Sequence, residues 1–374
     1  DPAWGMEGSS LDTGSGNDRL RISANARGNT TDTIAAYGAV DSQLDTGSGN
    51  DRVDIRANAF NRRGYAEAIG LDSSDLATDG GDDRIRIQAS AKGEYTYAWA
   101  LRDSSLDAGS GTNFMNLSAS TFATGDDPAY GIDSSSVVAG ADQDNLRISA
   151  KARGNTTGTI AAYGALNSDI NLGDGDNKLE IDATAFNRRG TAEVLGLDAS
   201  TATMGSGDDL VRIRATARGR NQVAWAMRNS TLDVGAGDNN IEIDGNVIQS
   251  RLLTGNGLDT IRVSGIATDQ LQIDSGANDD VLKVDGGTRI SYLSGEGSDQ
   301  LQLSRNYFAS LLQANNNEQG NNNEGELKTE APINNTLDQS DTEAMQSEDS
   351  ATGLNLRDAL KFEDFTTGSG GDSI

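Results

Sequence analysis

Hydrophobic and polar residues alternate in short segments that recur along the whole chain. Two apolar residues with one polar residue between them follow each glycine-rich turn, as at Leu20 and Ile22 and at Val53 and Ile55. Such alternation is typical of a half-buried β-strand. Alanines such as Ala24 continue the same face of each strand, which predicts an interior that is narrow at this end.

The turn before each strand sets the repeat. Residues 13–18 read TGSGND and recur with the same sequence as residues 46–51. The last position of the turn, Asp or Asn, returns every 30–33 residues from Asp18 to Asn239, and every 19–21 residues from there to Asp299. A variable step around a fixed turn predicts the coils of a solenoid, with connections of different length.

The chain also contains a longer repeat that spans several coils. Residues 20–36 read LRISANARGNTTDTIAA, and residues 146–162, at an offset of 126, read LRISAKARGNTTGTIAA. The same offset relates Trp99 to Trp225. We infer that a block of four long coils was duplicated.

The polar residue between the two apolar residues of each strand indicates independently that consecutive coils touch. Its charge changes sign almost without error from coil to coil. In parallel coils about 4.8 Å apart these residues are lateral neighbours, where opposite charges contribute roughly 0.2–1 kcal/mol per pair. The pattern predicts an all-β, right-handed parallel β-solenoid, similar to a β-helix or β-roll, with coils of about 30–33 and then about 20 residues. This charge column consists of Arg21, Asp54, Arg86, Asn116, Arg147, Glu180, Arg212, Glu242, Arg262 and Lys283.

A second strand in each coil carries a column of large residues. Its aromatic members share strand parity with small or apolar residues two positions later, as Tyr37 does with Ala39, so we expect them in the interior. The alternative is an outer surface on which sugar rings stack. An Asx/Ser turn such as Asp41-Ser42 ends the strand. The column consists of Tyr37, Ile69, Trp99, Tyr130, Tyr163, Leu195 and Trp225.

Composition excludes several classes of function. The chain has 374 residues, 57 Asp and Glu against 30 Lys and Arg, a net charge of −27, and neither Cys nor His. Zinc fingers, Ser-His or Cys-His catalytic pairs, iron–sulfur clusters and disulfide scaffolds are therefore ruled out. The acidity argues against nucleic-acid binding, because phosphate contacts need a basic face. No apolar run approaches the length of a membrane span.

Stacked coils place the acidic turn residues in a row, one coil spacing apart. Neighbouring carboxylates at that distance do not both ionise without cost. Either a cation lies between the coils, or the carboxylates cap the glycine turns by accepting hydrogen bonds from amides, with no metal. Calcium is the natural candidate for a cation, because it prefers carboxylate and carbonyl oxygens.

Residues 13–20, TGSGNDRL, resemble the nonapeptide G-G-x-G-x-D-x-U-x of the RTX (haemolysin-type) calcium-binding repeat, except at its first Gly. The chain departs from that family in having one motif per coil instead of two. In the family, turn carbonyls and the Asp bind Ca²⁺ between stacked turns, which here implies carbonyls near Gly14 and Gly47. The resemblance also implies export in an unfolded state and folding in external calcium. By position it implies Asp18, Asp51, Asp83, Asp144, Asp209, Asp259, Asp280 and Asp299 as metal ligands.

We expect calcium to concentrate where adjacent coils both keep Asp, at 18/51/83 and at 259/280/299. The Arg-rich segments 61–63 and 187–189 could bind an acidic glycan or phosphate, but we interpret them as solvated turns. An alternative function is that of a β-helix carbohydrate-active enzyme, whose site would be sought in the irregular coil 113–144. A single active site should break the repeat, and no such constellation stands out, so we expect no enzyme. An ice-binding array is disfavoured because the residues flanking the turn glycines vary.

We divide the chain into four parts. Residues 1–245 form a long-coil solenoid with the internal duplication, and residues 246–312 continue it with short coils. Residues 313–350 are an acidic, Asn- and Gln-rich segment expected to be disordered or inserted, and residues 351–374 begin a further, truncated repeat. The expected function is that of a secreted or cell-surface, calcium-stabilised solenoid: a surface layer, filament subunit or adhesin stalk. Expected partners are calcium ions, further copies stacked end to end, other surface proteins or glycans.

Overall fold

The computed structural model describes residues 2–125, 127–268, 270–287, 290–304 and 365–367, a part of the chain that contains strands and turns but no helix. Its strands pair in parallel with their counterparts in the neighbouring coils. The chain is therefore a right-handed parallel β-solenoid, which confirms the predicted fold class. The predicted acidic segment 313–350, and all of 351–374 except residues 365–367, lie outside the described residues.

Each long coil has a first arm that leaves the acidic turn, a bend, a second arm and a short strand that leads to the next turn. In some coils the arms are separate strands. First arms are β3 (Arg19–Gly28), β10 (Phe114–Ala123), β13 (Asn145–Gly154), β20 (Asn240–Asp244) and β27 (Gln300–Leu303); second arms are β1 (Ala3–Glu7), β4 (Ile34–Val40), β11 (Asp127–Asp133), β14 (Thr159–Leu166) and β21 (Asn246–Ile248).

In the other coils one strand continues through the bend. These strands are β6 (Arg52–Asp72), β8 (Arg84–Arg102), β16 (Lys178–Asp198), β18 (Leu210–Arg228), β23 (Thr260–Thr268) and β25 (Val281–Gly287). Together, the arms form a 16-stranded sheet.

The short strands form a separate 12-stranded sheet in simple chain order. They are β2 (Ser10–Asp12), β5 (Gln43–Asp45), β7 (Asp75–Ala77), β9 (Ser105–Asp107), β12 (Ser136–Val138), β15 (Asp169–Asn171), β17 (Thr201–Thr203), β19 (Thr231–Asp233), β22 (Arg251–Leu253), β24 (Leu271–Asp274), β26 (Ile290–Gly295) and β28 (Phe365–Thr367). No helix in the described residues is long and apolar enough to cross a membrane.

The predicted register of the charge column is confirmed. Arg21 pairs with Asp54, and each later member pairs with its counterpart in the next coil. Arg147 forms an ion pair with Glu180 at 3.8 Å, and Arg212 with Glu242. The interior between the arms and the short strands is apolar, with Ile55, Leu76 and similar residues buried beside columns of alanine.

The predicted interior position of the aromatic column is wrong, because these side chains lie on the outer face of the second arm. Tyr37, Trp99, Tyr130 and Tyr163 are only half-buried. Their rings stack from coil to coil, with centroids 5.1 Å apart for Trp99 and Tyr130 and 4.9 Å for Tyr130 and Tyr163. The smaller members, Ile69 and Leu195, are fully covered.

A one-residue irregularity after this column explains the error. The strand register passes from Tyr37 to Ala39 without pairing Gly38, and the same residue is skipped in the following coils. Gly38 faces inward, since a Cβ there would meet Ile55 of the first arm at 2.5 Å. Ala36 and Ala39 both belong to the core although they are three residues apart. An extra inward residue shifts the alternation by one, as in a β-bulge.

Candidate functional site

The acidic turns are shaped by glycines in left-handed conformation. Gly14 and Gly47 have φ angles of +80° and +71°. A Cβ added at Gly47 would lie 2.0 Å from the carbonyl oxygen of Gly14 in the preceding coil. Both the dihedral angle and the close backbone approach therefore require glycine at this position.

The Asp and Asn residues that end the turns form one continuous ladder. From Asp51 to Asp299 these side chains are almost completely buried. In each coil the backbone N–H donates to the side-chain Oδ1 of the counterpart one coil later, with distances of 2.7–3.1 Å. The structure thus brings together all eight carboxylates that the sequence predicted, and one oxygen of each later member caps the turn before it.

In the three Asn members of the ladder, the hydrogen bonds of Nδ2 show what the second terminal atom of each side chain faces. In the Asp members this atom is Oδ2. The Nδ2 of Asn113 donates to the carbonyl oxygen of Gly111 at 2.9 Å, and that of Asn239 donates to Gly237 at 2.9 Å and Gly235 at 3.2 Å. Asn177 donates in the same way to a turn glycine. The second atom therefore points back at the carbonyls of its own turn, two and four residues earlier.

An ionised Asp has no hydrogen to offer those carbonyls. The Oδ2 atom is buried and accepts no hydrogen bond in seven ladder residues: Asp18, Asp51, Asp83, Asp144, Asp209, Asp259 and Asp280. A buried carboxylate oxygen that lacks a partner costs free energy, and carbonyl oxygens beside it add repulsion. In each of these turns, either a proton on the carboxyl group or a cation between the oxygens would remove this cost.

Burial raises the pKa of several ladder carboxyl groups, which also favours a proton on them. Removal from water raises the pKa of Asp144 to about 6 and that of Asp209 to about 7. Burial likewise raises the pKa of Asp280 to about 7, and it raises the pKa of Asp83 and Asp259. The charged form is disfavoured because a buried carboxylate loses its hydration.

A column of hydroxyl residues beside the ladder escaped the sequence reasoning. Five residues before Asp83 stands Thr78, and five before Asp259 stands Thr254; both hydroxyls are buried and each donates to a carbonyl of the next coil. The isolated acids Asp144 and Asp209, which lie between Asn coils, have Ala139 and Met204 at that position. The full column is Thr13, Thr46, Thr78, Ala108, Ala139, Leu172, Met204, Val234, Thr254, Ser275 and Ser294.

Hydroxyl residues thus lie beside the two runs of consecutive Asp residues, Asp18 to Asp83 and Asp259 to Asp299. They are missing beside the rest of the ladder. Beside Asp259, burial is the largest influence on the carboxyl pKa and raises it. The co-occurrence is visible in the sequence, but it gains meaning only when the backbone pairing shows that these residues form one column beside the acids.

The chemistry of the two runs is that of an oxygen site. Carboxylate, turn carbonyl and hydroxyl oxygens meet there, and calcium takes six to eight such ligands. No group of three or more acidic side chains that could hold a metal occurs in the described part of the chain. A cation in these turns would therefore depend on backbone and hydroxyl oxygens as much as on carboxylates.

Comparison with known proteins yields no relative. No family model, no curated protein and no solved structure matches this chain.

Proposed function

We propose that this protein is a secreted or cell-surface β-solenoid rod, stabilised by calcium in its acidic turns, with a structural or adhesive role. The observation that carries the proposal is the row of buried Oδ2 atoms without partners, at the position from which the Asn members donate to turn carbonyls. An oxygen-binding cation removes the repulsion in these turns, and cations that bind only the folded state stabilise it by mass action.

The proposal assigns calcium to the two runs in which consecutive coils keep Asp, Asp18 to Asp83 and Asp259 to Asp299. Those coils also carry the hydroxyl column. At Asp144 and Asp209 the neighbouring position is apolar, so a cation there would lack the hydroxyl oxygen. We assign these turns a proton instead, held more fully by Asp209, whose pKa is raised to about 7, than by Asp144, whose pKa is raised to about 6.

The unbroken repeat supports a structural role over an enzymatic one. The coil 113–144, where the sequence is most irregular, keeps its register: Phe114–Ala123 and Asp127–Asp133 pair in parallel with the coils on both sides. The same turn and strand therefore recur through this coil, and a uniform rod is suited to spanning or layering.

The test is thermal melting followed by circular dichroism in calcium and in EGTA. The wild-type melting temperature should rise in calcium, since each filled site contributes about 2.7 kcal/mol at a concentration about 100 times its Kd. The double variant Asp51→Asn with Asp280→Asn should lose most of this rise. Its new Nδ2 groups should donate to the turn carbonyls as Asn113 and Asn239 do, so its melting temperature in EGTA should match or exceed that of the wild type.

The matched control is Asp82→Asn with Asp279→Asn, which removes the same charge from two residues that precede ladder members, Asp83 and Asp280. This control should keep the calcium response of the wild type. A wild-type melting curve that is the same in calcium and EGTA, or equal responses of the two double variants, would contradict the proposed site. Magnesium in place of calcium tests for a general effect of divalent charge.

A further inference from the structure

The bends between the two arms carry positive charge along one edge of this acidic protein. One column at the end of the first arm pairs residue by residue through seven coils. Every second coil supplies an exposed cation, Arg27, Lys92, Arg153 or Arg218. The coils between them supply Phe60, Phe122 and Phe186, which are 36–49% exposed.

The contrast with the charge column on the same strands shows that this edge is not neutralised. There, Arg147 faces Glu180 in the next coil, and every cation of the column except Lys283 has an acidic neighbour. At the edge, Arg153 faces Phe186 instead, with its guanidinium 5.6 Å from the ring centroid, and Lys92 lies 5.2 Å from the ring of Phe122. The rings separate and hold the cations without cancelling their charge.

The bends that carry the remaining arginines are held from inside by a buried side chain. Asn187 is fully buried, and its Nδ2 donates to the carbonyl oxygens of Gly158 at 2.9 Å and Thr191 at 3.0 Å. Its Oδ1 accepts from the backbone N–H of Arg189 at 3.3 Å. Asn61 makes the same contacts in the first half of the duplication. The arginines beside these residues therefore project from an ordered loop, which lowers the entropic cost of binding.

The positive edge is strongest over the coils of Arg153, Phe186 and Arg218. Segments 151–159, 186–192 and 217–223 contain no Asp or Glu. None of the cations there forms an ion pair within the described residues, and all are exposed. They are Lys151, Arg153, Arg188, Arg189, Arg218 and Arg220.

We propose that this basic edge, made of the bends from Lys151 to Arg220, binds an acidic polysaccharide laid along the solenoid axis. The three coils of Arg153, Phe186 and Arg218, about 4.8 Å apart, give a positive strip roughly 10 Å long, which suits a short stretch of an extended anionic chain. Arginine forks pair well with the carboxylates and sulfates of such a polymer. This inference goes beyond the proposed function, because it rests on the bends and does not require calcium in the turns.

A polysaccharide fits the edge better than a nucleic acid does. Single-stranded nucleic acids bind through bases stacked on open aromatic faces, whereas cations already lie over the rings of Phe122 and Phe186. A duplex carries about one charge per 1.7 Å, so the remaining acidic surface of the protein repels it strongly. A polysaccharide with about one charge per sugar meets less repulsion at the same edge.

Binding of the full chain to soluble chondroitin sulfate, measured by titration calorimetry in EGTA at low and at physiological ionic strength, tests the proposal. The variant with Arg153, Arg188, Arg189 and Arg218 all changed to Gln should bind about tenfold more weakly, and wild-type affinity should fall as salt rises. The matched control changes Arg21, Arg86, Arg212 and Arg262 to Gln. It loses the same charge about 20 Å away along the strands and should bind within about twofold of the wild type.

Circular dichroism of both variants checks that the fold is kept, and a version with Lys at the same four edge positions should bind nearly as the wild type does. No wild-type binding to chondroitin sulfate, or equal losses in the edge and control variants, would overturn the proposal. Equal binding to neutral dextran would also overturn it. Tighter binding of an oligothymidine than of chondroitin sulfate would reassign the edge to nucleic acid.

Discussion

Asp and Asn at the end of the acidic turn have nearly the same shape but opposite hydrogen-bonding capacity at one atom. Asn239 donates from Nδ2 to Gly237, whereas the Oδ2 of Asp209, at the same position one coil earlier, accepts no hydrogen bond. These two neighbouring turns therefore differ in whether the second side-chain atom has a hydrogen-bond partner. It follows that Asp209 folds more easily as a neutral acid than as a carboxylate.

The first prediction at this scale is that Asp209→Asn stabilises the protein increasingly as pH rises. Burial raises the pKa of Asp209 from 3.8 to about 7 in the folded state. A raised carboxyl pKa means that its contribution to stability is fully present below about pH 4 and declines as pH rises towards about 7. The variant has no such titration, so its advantage in urea denaturation, measured in EGTA, should grow over that range.

Asp208→Asn is the control for this prediction, since it removes the same charge from an exposed neighbour. Its stability should keep the wild-type dependence on pH with only a slight shift, because burial raises the pKa of Asp209 more than the charge of Asp208 does. An Asp209→Asn variant whose stability differs from that of the wild type by the same amount at every pH would contradict the assignment of a proton to this residue.

A second corner of each coil, at the other end of the short strand from the acidic turn, is fixed by a ladder of serines. A residue in left-handed conformation, such as Ser73 with φ of 47°, precedes each serine. The hydroxyl of Ser74 donates to the carbonyl oxygen of Asp72 at 2.8 Å and accepts from the N–H of Ser42 at 3.1 Å. Equivalent bonds recur at Ser104, Ser135, Ser168, Ser200, Ser230 and Ser250.

At the scale of this element we predict that Ser74→Ala lowers the free energy of unfolding by about 1–3 kcal/mol. The substitution leaves a buried N–H and a buried carbonyl oxygen without their hydroxyl partner. Ser23→Ala on the exposed face of the first arm should change stability by less than about 0.5 kcal/mol. Urea denaturation of both variants measures the difference, and equal effects would show that the ladder is not required.

At the scale of the whole molecule, each coil contacts only its neighbours, so the interfaces between coils decide stability. Because of the duplication, the interface between two neighbouring coils can be rebuilt from the equivalent coil of the other half. Residues 19–51 correspond to residues 145–177, which lie against the coil that starts at Lys178. Removing residues 52–177 should therefore rebuild a native interface, with Arg21 beside Glu180 as Arg147 is now.

We predict that the deletion of residues 52–177 yields a shorter solenoid with a cooperative melting transition and a β-type circular dichroism spectrum. Deletion of residues 52–144 is the control, since it brings Arg21 beside Arg147 and Arg27 beside Arg153. Like charges directly opposite each other are destabilising, so this control should melt at a lower temperature. The reverse order of melting temperatures would contradict pairing through the charge column.

Much of the fold could be predicted because alternation and repeat length are local properties. The strand pattern around Leu20 and Ile22, the step between turns and the sign of the charge column together predicted the parallel register that the structure has. The aromatic column could not be placed in the same way. Parity counting assumes unbroken alternation, and the inward-facing residue at Gly38 shifts it by one.

The sequence by itself determined the coils, their register, the duplication and the row of acids from Asp18 to Asp299. These depend on periodicity, which a linear sequence displays directly. Only the tertiary structure decided which atoms in that row lack partners, that the aromatic rings face outward, and that the bend arginines share one edge with Phe186 instead of an acid. Such features depend on which side chains meet across stacked coils, and residues about 30 positions apart become neighbours only in the folded chain.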